Sequence, residues 1–533
     1  MSPDTAYPPI ICTDDGWLLQ AAESPLTIEE LKEKMVDAYA GTPAALWWSI
    51  GDHEIYHYET QIGQRVGEAT DDGASARIAA NLGHLTKTCG GPLTALIELC
   101  RAANMQFFPR VRMNSHYDVD PGAPGFGRFR QEHPQLLIGR PGVALPEGST
   151  VYGLRTGLDY VFPEVRAYMA GIICELFERF DVEGLELDFM RHPAFFHPAQ
   201  AFQHRHYMTD LIVCVREAMI RAGSDRAHPI KLAIRVPPTL ADSARIGLDV
   251  AHWMAEGLVD IVIAGGGFIP YETPIEEFVA AGDGIAVYGR IESTRYADEK
   301  NLRAIASRFW AAGASGIYLY NFYTMSPTWN RRILNQLADS KTLRHLDKRF
   351  ELDQTARFTT PYHCAYPCDN IECTFRYANP AAQLPLTLEE IHSGTGPLLH
   401  LEIPDDLENA SRKGLLDRCL LTLRLDASTP NDELAVQLNG ETIPQTSRRI
   451  SFDGWKRQEV EAQFWDHYPT QIVEVQQSGA SIEYDLNCPP LKQGENKLEI
   501  RLTSKSDADE PVVLKGVETL ITYISAENAT PQR

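Results

Sequence analysis

From residue 9 to about residue 340, short apolar runs alternate with longer stretches whose apolar positions recur every three or four residues. The short runs lie at 9–13, 45–50, 106–113, 184–190, 231–236, 260–264, 284–291 and 316–321. Runs of this length predict strands, and the three-and-four spacing predicts amphipathic helices. Thr27 and Glu30 have the spacing of a capping box before Leu31, Met35 and Val36. Pro163 opens a stretch in which Val165, Tyr168, Met169, Ile172, Leu176 and Phe180 keep the helical period. Further helices are expected over 92–103, 200–222, 247–256, 298–312 and 329–337. Strands alternating with helices imply parallel βαβ units, and eight of them close a (β/α)₈ TIM barrel. An open doubly wound sheet is the competing fold, but its glycine-rich turn after the first strand is missing.

Past residue 350 the texture changes. Short strands are expected at 420–425, 434–438, 481–486, 497–502 and 517–523, several alternating in period two. Asn439-Gly440, Asp453-Gly454 and Gly494-Glu495-Asn496 supply turn signals between them. The expected organisation is α/β followed by all-β: a barrel over residues 1–345 and a jelly-roll-like β-sandwich over residues 346–533.

Composition narrows the function classes. The 533 residues carry a formal net charge of −23, which argues against nucleic acid as the main partner, because phosphate binding needs a basic face. An anionic small substrate stays open. No apolar run approaches the roughly 20 residues of a membrane helix, so no membrane partner is expected. The polar start, Met1 to Pro9, lacks the form of a signal peptide. The expected location is the cytoplasm, or the periplasm or exterior had a leader been removed. Cys12, Cys100, Cys174 and Cys214 lie in strand or helix patterns, the usage of buried thiols in a reducing compartment. Cys364, Cys368 and Cys373, beside His363, are spaced more widely than zinc-binding pairs, so free thiols or a local disulfide are expected there. No metal and no cofactor are expected.

Active sites of such barrels form at the C-terminal ends of the strands. The fourth strand carries the strongest signal: Gly184-Leu185-Glu186-Leu187-Asp188-Phe189-Met190-Arg191-His192. Side chains alternate across a strand, so Leu185, Leu187 and Phe189 should face the helices while Glu186, Asp188 and Met190 point inward. Two inward carboxylates must be paired, hydrogen-bonded or functional. Asp188, nearer the open end, is the catalytic candidate; Glu186, deeper, is expected to hold a neighbour in place or to join a buried carboxylate–arginine network.

The stretch 162–191 contains Phe162-Pro163-Glu164-Val165-Arg166, a helix, and Phe180-Asp181-Val182-Glu183-Gly184-Leu185-Glu186-Leu187-Asp188-Phe189. It resembles the fourth barrel segment of family-10-like glycosyl hydrolases, whose strand ends in a similar aspartate. It is also distantly similar to the Asp-Gly-x-Asp-x-Asp-x-Glu strand of chitinase-like barrels. Met190 stands where that pattern has glutamate, which argues against the chitinase mechanism. The resemblance implies a barrel fold and glycoside hydrolysis.

That chemistry usually needs a second carboxyl group. Glu292, ending the seventh strand, is the first choice as general acid, followed by Asp14 and Asp15 after strand one and Glu54 after strand two. Arg112, Asn114 and His116 near strand three, Arg191 and His192 near strand four, Arg235 on strand five, Arg290 on strand seven, and Tyr320 and Asn321 on strand eight are candidate sugar contacts. Trp17, Trp47 and Trp48 could stack on a pyranose, one of the adjacent pair belonging to the core. Arg112, Arg191, Arg235 and Arg290 either neutralise the inner carboxylates or bind an acidic or sulfated sugar. Gly265-Gly266-Gly267 after strand six lacks the lysine and hydroxyl residue of a phosphate loop and is expected to be a tight turn.

The expected function is a glycoside hydrolase acting on an oligo- or polysaccharide, with Asp188 as nucleophile or base. A non-catalytic glycan-binding barrel is one alternative. A metal-dependent sugar lyase or isomerase using His116, Asp188 and His192 is another. Oligomeric state is not legible.

Overall fold

The computed structural model describes residues 7–68, 73–114, 120–123, 125–145, 155–265, 273–292, 298–322, 326–352, 382–460, 472–506 and 510–524. Eight parallel strands close into a barrel: β1 Ile10–Asp14, β2 Ala44–Ser49, β3 Phe107–Arg112, β4 Gly184–Asp188, β5 Lys231–Val236, β6 Ile261–Ala264, β7 Ala286–Ile291 and β8 Gly316–Leu319. Each neighbours its sequence successor, and β8 pairs with β1 to complete the circle. Every expected barrel strand is present, with ends within two residues of the expected ones.

Period-two alternation sorts the side chains. Cys12, Leu46, Val111, Leu185, Leu187, Ile234, Val262, Ile291 and Leu319 face outward into the main core beneath the helices. Ile11, Ala45, Trp47, Phe108, Ala233, Ile261, Ile263, Ala286, Tyr288, Tyr318 and Tyr320 fill the barrel interior as a separate cluster. Trp47 stacks on Phe108 with centroids 4.7 Å apart and meets Tyr318 edge-on at 6.1 Å. This aromatic layer plugs the lower barrel. It also explains Gly184 at the start of β4, where a Cβ would fall 2.2 Å from Phe108 Cζ.

The helices follow the sequence signals. Thr27 and Glu30 form the reciprocal capping box, and Pro163 occupies the first turn of the helix Pro163–Arg179. The helix Gly73–Cys89 was not expected, since its run of Gly, Ala, Ser and Thr gives a weak apolar period.

Two antiparallel sheets follow. One orders β9 Lys348–Glu351, β20 Val512–Tyr523, β12 Leu416–Asp426, β18 Ala480–Leu486 and β15 Arg448–Ser451, with β10 Leu386–Leu388 also on β20. The other orders β11 Leu398–Ile403, β19 Gly494–Ser504, β13 Glu433–Leu438 and β14 Glu441–Thr442. Strands β16 Trp455–Val460 and β17 Ile472–Gln477 form a separate ribbon. Leu401 and Ile403 from β11, Val436 from β13 and Ile500 from β19 share one core with Leu421, Leu423, Val517 and Ile521 of the first sheet. Asn439 and Gly440, both at positive φ, make the two-residue hairpin between β13 and β14. Strand β11 was missed in the sequence although its burial alternates strictly.

The proposed domain boundary between residues 345 and 346 falls between the helix Ser340–Leu343 and β9. The two cores meet there: Ala304, on the barrel helix Glu299–Ala311, packs into the sandwich core. Buried Lys348 donates to the carbonyls of Leu343 and Leu346 and to Asp405, to which Tyr523 also donates.

Candidate active site

The inward positions of β3, β4 and β5 bring Arg110, Arg112, Glu186, Asp188 and Arg235 to adjacent places in register, Arg110 beside Glu186, and Asp188 between Arg112 and Arg235. Each nitrogen of the Arg110 guanidinium serves a different carboxylate. Nε donates to Glu186 at 3.0 Å, Nη2 to Asp188 at 3.2 Å and Nη1 to Asp15 at 3.2 Å. Glu186 lies deepest and also accepts the Tyr318 hydroxyl at 2.9 Å. Asp188 accepts from Arg235 Nε and Nη2, both at 2.8 Å, and from the Met190 amide at 2.8 Å. Both of its oxygens are thereby committed, and the residue is 1% exposed.

Asp15 stands above this pair. It accepts Tyr320 Oη at 2.9 Å and Asn321 Nδ2 at 3.1 Å, and pairs with Arg112 Nη2 at 3.1 Å. Asn321 reaches it from a left-handed backbone, φ 52°, a conformation asparagine tolerates better than most residues. The Tyr320 ring carries the guanidiniums of Arg290 and Arg235 at 4.6 and 4.7 Å from its centroid. Arg191 Nη1 meets its hydroxyl at 3.4 Å.

Electrostatics separates the carboxyls. Burial raises Glu186, and the neighbouring charge of Asp188 adds to that effect, so it resists ionisation despite Arg110. Burial opposes ionisation of Asp188 too, but Arg235 and Arg110 outweigh it and hold the group below its ordinary value. Asp15 is also buried, yet Arg112, Arg110 and Arg191 hold it far below the carboxylate range. Asp14 faces the other way. Burial raises it to about 7, against a 2.5 Å hydrogen bond from the Gly16 amide.

A cleft of about 220 Å³ opens beside Asp15, lined also by Trp17, Asp52, His57, Arg112 and Arg191. Asp52, with its side chain 29% exposed, pairs with Arg112 Nη1 at 3.2 Å. One guanidinium thus holds two cleft carboxylates. His57 is pushed down to about 4 by burial and by Arg112, so its ring is neutral near pH 7.

The expected sites divide on these contacts. Asp15, Arg112, Arg191 and Trp17 line the cleft, with Tyr320 and Asn321 positioning Asp15. Trp47 and Trp48 do not: Trp47 is inside the barrel plug and Trp48 in the outer core, because adjacent strand residues take opposite faces and both faces are covered. Asn114 is spent on the backbone of Leu158 and Ala194, and Glu54 on Arg130. His192 is buried outside the cleft lining. Glu292 is buried in an ion pair with Arg290. His116 lies outside the described residues, as do Gly266, Gly267, His363, Cys364, Cys368 and Cys373. Among the described residues, no group of three or more His, Cys, Asp or Glu could hold a metal ion. Arg110, Tyr318, Asp52 and His57 were missed as site residues. Arg110 shares inward parity with Arg112 and could have been found that way.

No protein-family model matches the chain, so the family-10-like resemblance rests on residues 162–191 alone. No curated protein sequence matches it either. Among solved structures, it is similar to a cycloisomaltooligosaccharide glucanotransferase from Paenibacillus sp., with 9% identity and a TM-score of 0.35 over 97% of this chain and 58% of that one. A family 36 α-galactosidase from Geobacillus stearothermophilus gives 11% and 0.37 over 93% of this chain and 56% of that one. The chain therefore spans a little over half the length of these two. A maltogenic α-amylase from Thermotoga neapolitana gives 10% and 0.35 over 92% and 98%. Likeness at this level carries no weight for function.

Proposed function

We propose that the protein is a carbohydrate-active enzyme of the glycoside hydrolase kind, working in the cleft at the C-terminal mouth of the barrel. The observation that carries this is the pair Asp15 and Asp52, two cleft carboxylates held on Arg112. Glycoside hydrolysis uses one carboxylate to stabilise positive charge developing at the sugar carbon and a second group to move a proton. Asp15, kept ionised by three arginines, suits the first role. Asp52, which reaches solvent, suits the second. Trp17 is the aromatic face available to a sugar ring.

The pair Asp188 and Glu292 is the competing assignment. It is weakened by arginines that occupy both oxygens of Asp188 and pair with Glu292. Pairing of Arg112, Arg235 and Arg290 with carboxylates also favours a neutral glycan over an acidic or sulfated one. The same saturation favours a second reading, a barrel that binds glycan without cleaving it.

A hydrolysis screen over oligo- and polysaccharides identifies a substrate. On it, Asp52→Asn should lower kcat by about 100-fold or more, with the fold intact because Asp52 is partly exposed. Wild-type turnover by Asp52→Asn would exclude the Asp15–Asp52 pair. Lost turnover in Asp188→Asn at an unchanged melting temperature would install Asp188 and Glu292 instead. Glycan binding without turnover in the wild type would establish the second reading.

A further inference from the structure

Strand β12 places Cys419 in the sandwich, paired in register with Leu486 at the end of β18. Two residues beyond, in the loop crossing from β18 in one sheet to β19 in the other, lies Cys488. Their sulfurs are 3.6 Å apart, though the residues are 69 positions apart in sequence. Cys419 is buried and Cys488 half-buried, so one sulfur is shielded and its neighbour is within reach of solvent. Both are free thiols. A disulfide needs the sulfurs to close to about 2 Å, a movement of ångström scale that the loop position of Cys488 allows.

We propose that Cys419 and Cys488 form a reversible disulfide, making this end of the sandwich a thiol-exchange site for a low-molecular-weight disulfide such as oxidised glutathione. In the first step the Cys488 thiolate attacks one sulfur of that disulfide, forming a mixed disulfide and expelling one glutathione thiolate. Cys419 Sγ then attacks Cys488 Sγ, breaking the mixed disulfide, and its proton passes to the departing glutathione thiolate, which leaves as the second thiol. Two protein thiols are oxidised, one disulfide is reduced to two thiols, and no other oxidant is required. Cys488 is the entry sulfur because it is the accessible one, and Cys419 the resolving one because it is shielded.

The bond would tie the middle of one sheet to the crossover entering the other, closing a long loop of chain. Loops of this length give disulfides a large effect on the unfolded state. It would also form near the Lys348, Asp405 and Tyr523 cluster that joins the sandwich to the end of the barrel. Cys419 pairs in register with Ile521, two residues before Tyr523 on β20, which places the thiols beside that cluster.

The test uses the full chain equilibrated in glutathione buffers from fully reduced to fully oxidised, quenched with acid, alkylated and peptide-mapped by mass. Under oxidising buffers a cross-linked peptide containing Cys419 and Cys488 should appear, lighter than the two thiol peptides by two hydrogens. The melting temperature should rise with it by about 5–10 °C. Dithiothreitol should reverse both changes. Cys488→Ser should abolish both and melt like the reduced wild type; Cys488 is half-buried in a loop, so this variant keeps the fold, whereas Cys419→Ser would bury a hydroxyl in the sandwich core. Both sulfurs alkylated after the oxidising treatment would overturn the proposal. A stable glutathione adduct on Cys488, unresolved by Cys419, would overturn it as well.

Discussion

Replacing Arg110 with methionine removes one guanidinium from three buried carboxylates, and the structure says where the loss concentrates. Asp188 would keep Arg235 and the Met190 amide. Asp15 would keep Arg112, Tyr320 and Asn321. Among the described residues, Glu186 would keep only the Tyr318 hydroxyl as a hydrogen bond, with Arg235 Nε 3.9 Å away. Breaking a buried ion pair from one side costs about 3–5 kcal/mol, because the partner charge stays buried. Arg110→Met should therefore lose about that much stability at neutral pH, measured by urea unfolding followed through tryptophan fluorescence, to which Trp47 inside the barrel contributes. Adding Glu186→Gln removes the orphaned charge and should recover about 1–3 kcal/mol. Burial already raises the Glu186 carboxyl, and losing Arg110 raises it further. In the single variant the folded state should then hold the Glu186 proton more tightly than the unfolded chain, so its deficit should shrink as pH falls. A loss below about 1 kcal/mol, the range of exposed pairs, would refute the hub. So would a double variant no more stable than Arg110→Met.

Two further outcomes follow from buried groups. Asp14 rises from 3.8 in the open chain to about 7 in the fold, so the folded state binds the extra proton across that window and stability falls as pH rises through it. Asp14→Asn should flatten this part of the pH–stability profile and be more stable than wild type at pH above the folded value; an unchanged profile would remove Asp14 as the cause. Lys348→Met leaves Asp405 buried with Tyr523 as its remaining side-chain partner among the described residues, which should cost roughly 3 kcal/mol and expose the barrel–sandwich junction to limited proteolysis, visible as new cleavage near residues 341–358.

The barrel was legible because eight short apolar runs alternate with amphipathic helical stretches, and the polar inward positions of β4 could be assigned from parity alone. Glu186 and Asp188 do point inward. What they meet there was not legible: Arg110 lies 76 positions from Glu186, and only barrel closure brings the two together. Strand-end position therefore identified candidate residues but could not tell a free carboxylate from a neutralised one. Asp188 sits where a catalytic carboxylate would, yet two arginines occupy it. Asp15 was ranked lower because nothing local to Asp14-Asp15-Gly16 reveals that one side chain enters the arginine field and the other turns into the core. The tryptophan pair failed differently. Parity put the two rings on opposite faces, but whether either face was open depended on how Phe108 and Tyr318 fill the barrel.

The Arg110 hub also constrains descent. Asp15 from just past β1 and Glu186 and Asp188 from β4 meet on one guanidinium of β3, and Glu186 is the carboxylate that leans on it most, since Asp15 also has Arg112 and Asp188 also has Arg235. A lineage that exchanges Arg110 for an uncharged residue should carry a neutral residue at 186 as well, since the intermediate holding the arginine loss alone is the unstable one. Positions 110 and 186 should be inherited as a pair, and in a set of diverged relatives they should covary more tightly with each other than with their neighbours along the chain.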